Sequence, residues 1–275
     1  MADFWNTDWL IRSPIFAPLQ PVATRLPAIG WPDPALLSAL AEDAGRRVVN
    51  AQGQPLRFVP HSGKPKDFES GFEQRAWLRG EVQLRAIDWH DLFNALVWIS
   101  FPTTKAVINA RHFEVLSEGG RGHRPPQRDA LTLFDEDGVV VLSSEPELLD
   151  LVRDFRWKTL FWERREQVRS RMRFFVFGHA LYQKALAPFI GLTGKAVLLA
   201  VPQGFLELPP QAQVEDADRR LAAYVWNRTH LCRGRELAPL PVLGVPGWWP
   251  NNDDEAFYDN KAYFRPGRQA AMSSR

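Results

Sequence analysis

Residues 89–112 read WHDLFNALVWISFPTTKAVINARH, and the fold turns on how this stretch is read. From Leu92 to Phe101 the apolar side chains fall all round a helical axis, the pattern of a helix buried on every side. Asn94 stands in the middle of that run, one helical turn after His90. A buried amide without partners costs about 1–3 kcal/mol, so Asn94 must be bonded to something. Asp88 is placed to cap the helix, with Asp91 three residues on where a capping box has its glutamate. Pro102 cannot donate to the carbonyl four residues back and must kink or end the helix. Beyond it, Lys105, Asn109 and His112 lie within about 60° of one another on a helical wheel. His90, Asn94, Trp98, Phe101, Lys105, Asn109 and His112 thus form one edge if the helix only bends. If the chain turns at Pro102, the two polar sets can face each other.

Two readings follow. In the first, two imidazoles, two amides and an ammonium line a cleft. Imidazole moves protons near neutral pH, while lysine and amides hold phosphate or carboxylate oxygens. In the second, Lys105, Asn109 and His112 form a solvated helix face, His90 is an ordinary first-turn residue, and Asn94 is a satisfied core amide.

Working outward, residues 1–33 are rich in Pro and Trp without periodicity and predict an extended arm. PDPALLSALAEDAGRRV (32–48) predicts a helix with Pro34 in its first turn and Leu36, Leu37, Leu40 and Ala41 as its apolar stripe. PLRFVPHSGKP (55–65) predicts a strand and turn, and FESGFEQRAWLRGEVQLR (68–85) a short helix ending at Gly80. ALTLFDEDGVVVLSS (130–144) predicts a β-hairpin about Asp137-Gly138. Residues 145–172 and 174–188 predict helices, 194–202 a strand, and 213–231 another helix. The remainder lacks periodicity and predicts a C-terminal wrap, with a disordered tail over 266–275. The fold class expected is α+β: one predominantly helical domain over 34–265, with a β-hairpin and a small sheet.

Bulk composition narrows the classes. A chain of 275 residues that is 45% hydrophobic can bury a core without staples. One cysteine, Cys232, excludes an internal disulfide framework and predicts a reducing, cytoplasmic setting. No apolar run reaches membrane-spanning length, and the first residues lack a secretory signal pattern. A formal net charge of +2 leaves nucleic-acid binding to a local patch, if to anything. The one candidate patch runs from Arg153 to Arg173, with eight cations against three acids and Trp157, Phe161 and Trp162 interleaved. A solvated amphipathic helix with its aromatics in the core is the favoured reading of that pattern. The eleven tryptophans read mainly as an aromatic-rich core.

Other constellations are weaker. Asp135, Glu136 and Asp137 could hold Mg²⁺ or Ca²⁺, but such residues usually solvate a tight turn. His179 follows Gly178, which permits close approach of another backbone. With His90 and His112 it could complete a three-imidazole metal site, although a hydrogen-bonded core histidine is the simpler reading. His61 followed by His90-Asp91 mimics the order of HD-type phosphohydrolases, yet His61 falls in a turn. GLTGKAV (191–197) fails as a phosphate loop. Cys232 reads as inert packing.

One resemblance covers roughly residues 30–265. The segment 72–112, RDALTLFDEDG (128–138) and FGHALYQKAL (177–186) resemble the proteobacterial domain of unknown function 3025. The matching positions are Trp89, His90, Asp91, Phe93, Asn94, Trp98, Phe101, Pro102, Lys105, Asn109, His112, Arg128, Asp129, Asp135, Glu136, Gly178 and His179. Gln183 departs from that pattern, which has an acidic residue there. The resemblance implies a shared fold and a site location, and no reaction. It favours the cleft.

The reading carried forward is an enzyme, hydrolase or lyase by default, acting on a small polar or anionic substrate. His90, His112, Lys105 and His179 are the catalytic candidates. Asn94, Asn109, Trp98 and Arg128 are the substrate-binding candidates. No metal ligands and no cofactor are assigned. A nucleic-acid module using Arg153 to Arg173, or a non-catalytic binding or scaffold protein, is the alternative.

Overall fold

A computed structural model of the chain describes residues 5–118 and 125–267. The opening stretch forms two helices, Trp89–Ser100 and Pro102–Glu118. They are separated at Phe101, whose φ of −132° and ψ of 55° leave the helical region. The chain therefore turns at Pro102 rather than merely bending. The break is stitched from outside. The carboxylate of Asp218, on helix Pro210–Trp226, accepts from the backbone N–H groups of Thr103 at 3.1 Å and Thr104 at 2.9 Å. Arg46 donates to the carbonyls of Ile99 and Ser100 that end the preceding helix. Both sets of groups are orphans that a helix terminus must satisfy.

Among the described residues, six strands make two sheets. Strands β1 (Arg57–Pro60) and β2 (Glu81–Leu84) form a parallel pair. Strands β3 (Gly138–Ser143), β4 (Met172–Val176), β5 (Thr193–Ala200) and β6 (Ala238–Pro241) form a sheet in the order β4-β3-β5-β6. Within it β3 runs antiparallel to β4 and parallel to β5, and β6 runs antiparallel to β5. Every residue of β3 is buried. A continuous apolar run of this kind suits a strand covered on both faces. Helices Pro126–Asp137 and Pro146–Arg153 pack against β3 and β5. The mainly helical α+β architecture expected from the sequence is the one observed.

Three local expectations are corrected. No hairpin forms at Asp137-Gly138. Residues Pro126–Asp137 are helical, and Gly138 opens β3 with φ −66° and ψ 141°. A two-residue hairpin of the Asp-Gly type needs positive φ. Pro126 sits in the first turn, and Ala130, Leu131 and Phe134 bury one helical face, so helical spacing outweighs the turn signal. The segment 174–188 is not one helix: its apolar start completes β4, and the helix is His179–Ala185.

The N-terminal residues are not an extended arm. Trp9–Arg12, Pro14–Leu19 and Gln20–Ala23 are short helical turns. Trp9, Phe16 and Leu19 are buried in the common core, where Trp9 packs edge-on against Phe93 of the opening helix. Large aromatic area, rather than propensity, ties this segment down. The expected tail falls, from residue 268 on, outside the described residues. No helix among the described residues is long and apolar enough to cross a membrane.

Candidate functional site

Three helix ends and one helix face meet over the start of β3. His90 lies in the first turn of Trp89–Ser100, and His179 opens His179–Ala185. Asp135 and Glu136 lie in the last turn of Pro126–Asp137, and His112 lies on Pro102–Glu118. These side chains, with Glu73, Gln83, Arg85, Asp91, Asn94 and His61, line a cavity of about 310 Å³. Lys105, Asn109 and His112 are only 3%, 1% and 4% exposed, so they are no solvated face.

Lys105 joins the two polar sets. Its Nζ donates to Asn94 Oδ1 at 2.9 Å and to Asp135 Oδ1 at 2.7 Å, and lies 5.3 Å from the centre of the Trp98 ring. Asn109 turns the other way. Its Nδ2 donates to the backbone carbonyl of Glu73 at 2.9 Å and to its carboxylate at 2.7 Å, anchoring helix Phe72–Arg79 to the cavity wall. His112 Nδ1 is buried and has no hydrogen-bond partner.

Glu136 sits between two imidazoles. Its Oε2 lies 3.2 Å from His90 Nε2 and 3.4 Å from His179 Nε2. The rings meet edge-to-face with centroids 4.4 Å apart. Behind each ring is another carboxylate: Asp91 Oδ1 is 3.4 Å from His90 Nδ1, and Asp135 Oδ2 is 3.8 Å from His179 Nδ1. Asp91 does not complete the expected capping box. Its carboxylate accepts from the backbone N–H of Arg85 at 2.7 Å and from the Arg85 guanidinium at 2.9 and 2.7 Å.

Gly178 explains why the chain can close on itself here. A Cβ at this position would lie 2.3 Å from the Gly138 nitrogen and 2.4 Å from the Glu136 carbonyl oxygen. Only glycine lets the segment carrying His179 pass this close to the one carrying Glu136. The acids themselves stand where a helix does not favour them. Asp135, Glu136 and Asp137 occupy a helix C-terminus, where the backbone dipole opposes negative charge by about 0.3–1 kcal/mol per residue. Lys105, the two imidazoles and Lys184, 2.6 Å from Asp137, offset it.

The environments push the titrating groups apart. The hydrogen bonds of Asp91 and Glu136 raise His90 to about 9, and burial drives His179 down to about 4. Burial alone would raise Asp135, but the Lys105 ammonium outweighs it and holds the carboxyl low. Burial likewise opposes ionisation of Glu136, and the His90 hydrogen bond together with the electrostatic pull of both imidazoles reverses the effect. Asp91 is held well below the usual carboxylate range, because its bonds to Arg85 and His90 overcome its burial.

The sequence candidates are therefore divided. His90, Asn94, His112 and His179 line one cavity. Lys105 is held behind it by Asp135, and Trp98 lies beneath Lys105. Asn109 reaches it only through Glu73. Arg128, in the first turn of Pro126–Asp137, is not among the lining residues. Asp135 and Glu136 were read mainly as turn solvation; the helix carries them into the cavity instead. Glu73 and Gln83 were missed, and nothing in their local sequence marks them. His61, in its turn after β1, lies on the same rim as His90 and Asp91. Cys232 is half-buried and not among the lining residues.

The basic segment is broken into Pro146–Arg153, a π-helical turn Thr159–Glu163, and Arg165–Arg171. Trp157 and Phe161 are buried, and Arg153, Lys158, Arg165, Arg169 and Arg171 are ion-paired within the chain.

Residues 56–268 match the family described as Protein of unknown function (DUF3025). Comparison with curated proteins and with solved structures gave no match.

Proposed function

The chain belongs to the DUF3025 family, and from the site it carries we propose that it is an enzyme acting on a small polar substrate. Hydrolysis is the first reaction class, with elimination, a lyase reaction, as its near relative. The observation that carries this reading is the shared cavity of His112 and the His90–Glu136–His179 cluster. A buried ring nitrogen without a partner costs about 1–3 kcal/mol, and His112, which lines the cavity, has such a nitrogen in its Nδ1. A ligand that bonds it removes that cost.

The roles follow from position. His112 carries the proton: it accepts one from the attacking water and returns it to the leaving group. Asn94, whose Oδ1 is committed to Lys105, has its Nδ2 left to orient a substrate oxygen. Lys105 is a positioning residue, because its charge is spent on Asp135. Of the four wall carboxylates, Asp91 is paired with Arg85 and Asp135 with Lys105, which leaves Glu73 and Glu136 against the imidazole of His90. That balance suits a neutral or cationic ligand better than a bare anion. The single half-buried cysteine fits a reducing compartment such as the cytoplasm. Nucleic-acid binding by the segment Arg153 to Arg173 has less support, since Arg153, Lys158, Arg165, Arg169 and Arg171 are already paired within the chain.

A thermal-shift screen of small polar metabolites on the purified chain tests the proposal. A compound that raises the melting temperature of the wild type, and not that of His112→Ala, supports it. Hits indifferent to His112 would move the site elsewhere.

A further inference from the structure

We propose that His90, Glu136 and His179 bind one divalent first-row transition ion, with zinc as the reference case. The inference deepens the reading above and rests on it for what the ion does, though not for whether it binds. His90, His179 and Glu136 each offer a ligand atom, and the three atoms lie within 4.8 Å of one another. The two nitrogen-to-oxygen distances are 3.2 and 3.4 Å. A tetrahedral zinc with bonds of about 2.0–2.1 Å holds its ligands about 3.3 Å apart. Both nitrogen-to-oxygen spacings thus already suit an ion held between each ring and the carboxylate.

A second observation is independent of that spacing. Metal-binding imidazoles keep their orientation because the far ring nitrogen faces a carboxylate or carbonyl. Both rings here do so, His90 through Asp91 and His179 through Asp135. His179 Nδ1 is buried without a hydrogen bond, and a shift of a few tenths of an ångström towards Asp135 would supply one. The two outer carboxylates are each fixed by a permanent cation, Arg85 on Asp91 and Lys105 on Asp135. Among the described residues, Glu136 pairs only with the two imidazoles. The cluster thus keeps one carboxylate that no permanent cation neutralises.

The donor set decides the class of ion. Two imidazoles and one carboxylate favour zinc and its transition-metal neighbours over Mg²⁺ or Ca²⁺, which prefer oxygen alone. Three protein ligands beside an open cavity leave a coordination position for water or substrate, as in catalytic rather than structural sites. The ion takes His90 neutral, so loading releases any proton the ring carries. Asp88, His90 and Asp91 also lie within 4.8 Å of one another. That set is weaker, because Asp88 caps its helix and Asp91 is bound by Arg85. A bound dication would reverse the charge balance of the cavity. It would admit a carboxylate or phosphoryl oxygen that the unneutralised wall carboxylates otherwise repel.

The test uses the purified chain, stripped with chelator and titrated with Co²⁺ and with Zn²⁺. The expected result is one equivalent bound, a visible Co²⁺ spectrum of a four- or five-coordinate site, and a raised melting temperature. Asp135→Asn should weaken binding roughly 10–100-fold, as loss of a carboxylate behind a ligand histidine does. Glu136→Gln should weaken it further, and His90→Gln serves if His179→Ala does not fold. No stoichiometric binding, or binding unchanged in Glu136→Gln, overturns the proposal and leaves a hydrogen-bonded triad. Turnover intact with no stoichiometric binding of either ion would sink the ion and spare the enzyme reading. Tight stoichiometric binding without any turnover would do the reverse.

Discussion

Lys105 Nζ lies 2.7 Å from Asp135 Oδ1, and the two side chains are only 4% and 15% exposed. This pair fixes the back wall of the cavity, since Asp135 faces His179 and Lys105 also holds Asn94. Removing one member of such a pair leaves a buried charge unpaired, at about 3–5 kcal/mol. Lys105→Met should therefore lose about that much in urea unfolding. The double variant Lys105→Met/Asp135→Asn should recover a large part of it. Equal losses in the single and double variants would mean that the pair does not act as a unit.

Gly178 is expected to tolerate no side chain. Its Cβ would meet backbone atoms of Glu136, Asp137 and Gly138 at 2.3–2.6 Å. Overpacking against backbone costs about 1–3 kcal/mol or more, so Gly178→Ala should lower the melting temperature. Gly204 provides the control, because a Cβ there meets nothing within 4 Å. Gly204→Ala should be neutral or slightly stabilising. Equal behaviour of the two variants would show that the approach of His179 to Glu136 does not depend on Gly178.

Asp218 should matter for stability without touching the site. Its carboxylate takes two backbone N–H groups at the start of Pro102–Glu118 and stands 3.7 Å from Arg46. Loss of a capping carboxylate costs about 0.5–2 kcal/mol, and burial moves the cost towards the upper end. Asp218→Ala should show it in denaturant unfolding, while the metal affinity of the folded protein stays as in the wild type. Unaltered stability would mean that the break at Pro102 is held by other contacts.

How far the sequence carried the fold can be judged at particular residues. The two helices flanking Pro102 were legible because apolar periodicity and a proline are local signals. The inward face of Lys105, Asn109 and His112 was legible only as one of two alternatives. What decided it was Asn94 and Asp135, one on the preceding helix and the other 30 residues away. The Asp-Gly turn misled because a helix-to-strand junction uses the same two residues as a hairpin. The N-terminal turns were missed because they have little propensity of their own; Trp9 and Phe16 hold them to Phe93. Glu136 was visible as an acid, but not as a neighbour of His90 and His179. Those three residues come from separate helices, and their meeting depends on the close passage at Gly178.

The central claim is that the cavity beneath His90, Glu136 and His179 is where this chain does its chemistry. The most direct measurement is turnover of a panel of carboxylic esters, amides and phosphate esters, by wild type and by His112→Ala. Both proteins should be loaded with Zn²⁺ and shown to melt cooperatively. The account predicts that the wild type hydrolyses one class, and that His112→Ala loses roughly 10²–10⁴-fold in kcat, the usual worth of a positioned proton carrier. Turnover that survives His112→Ala and Glu136→Gln at full rate would contradict it, as would a wild type that turns over no class in the panel.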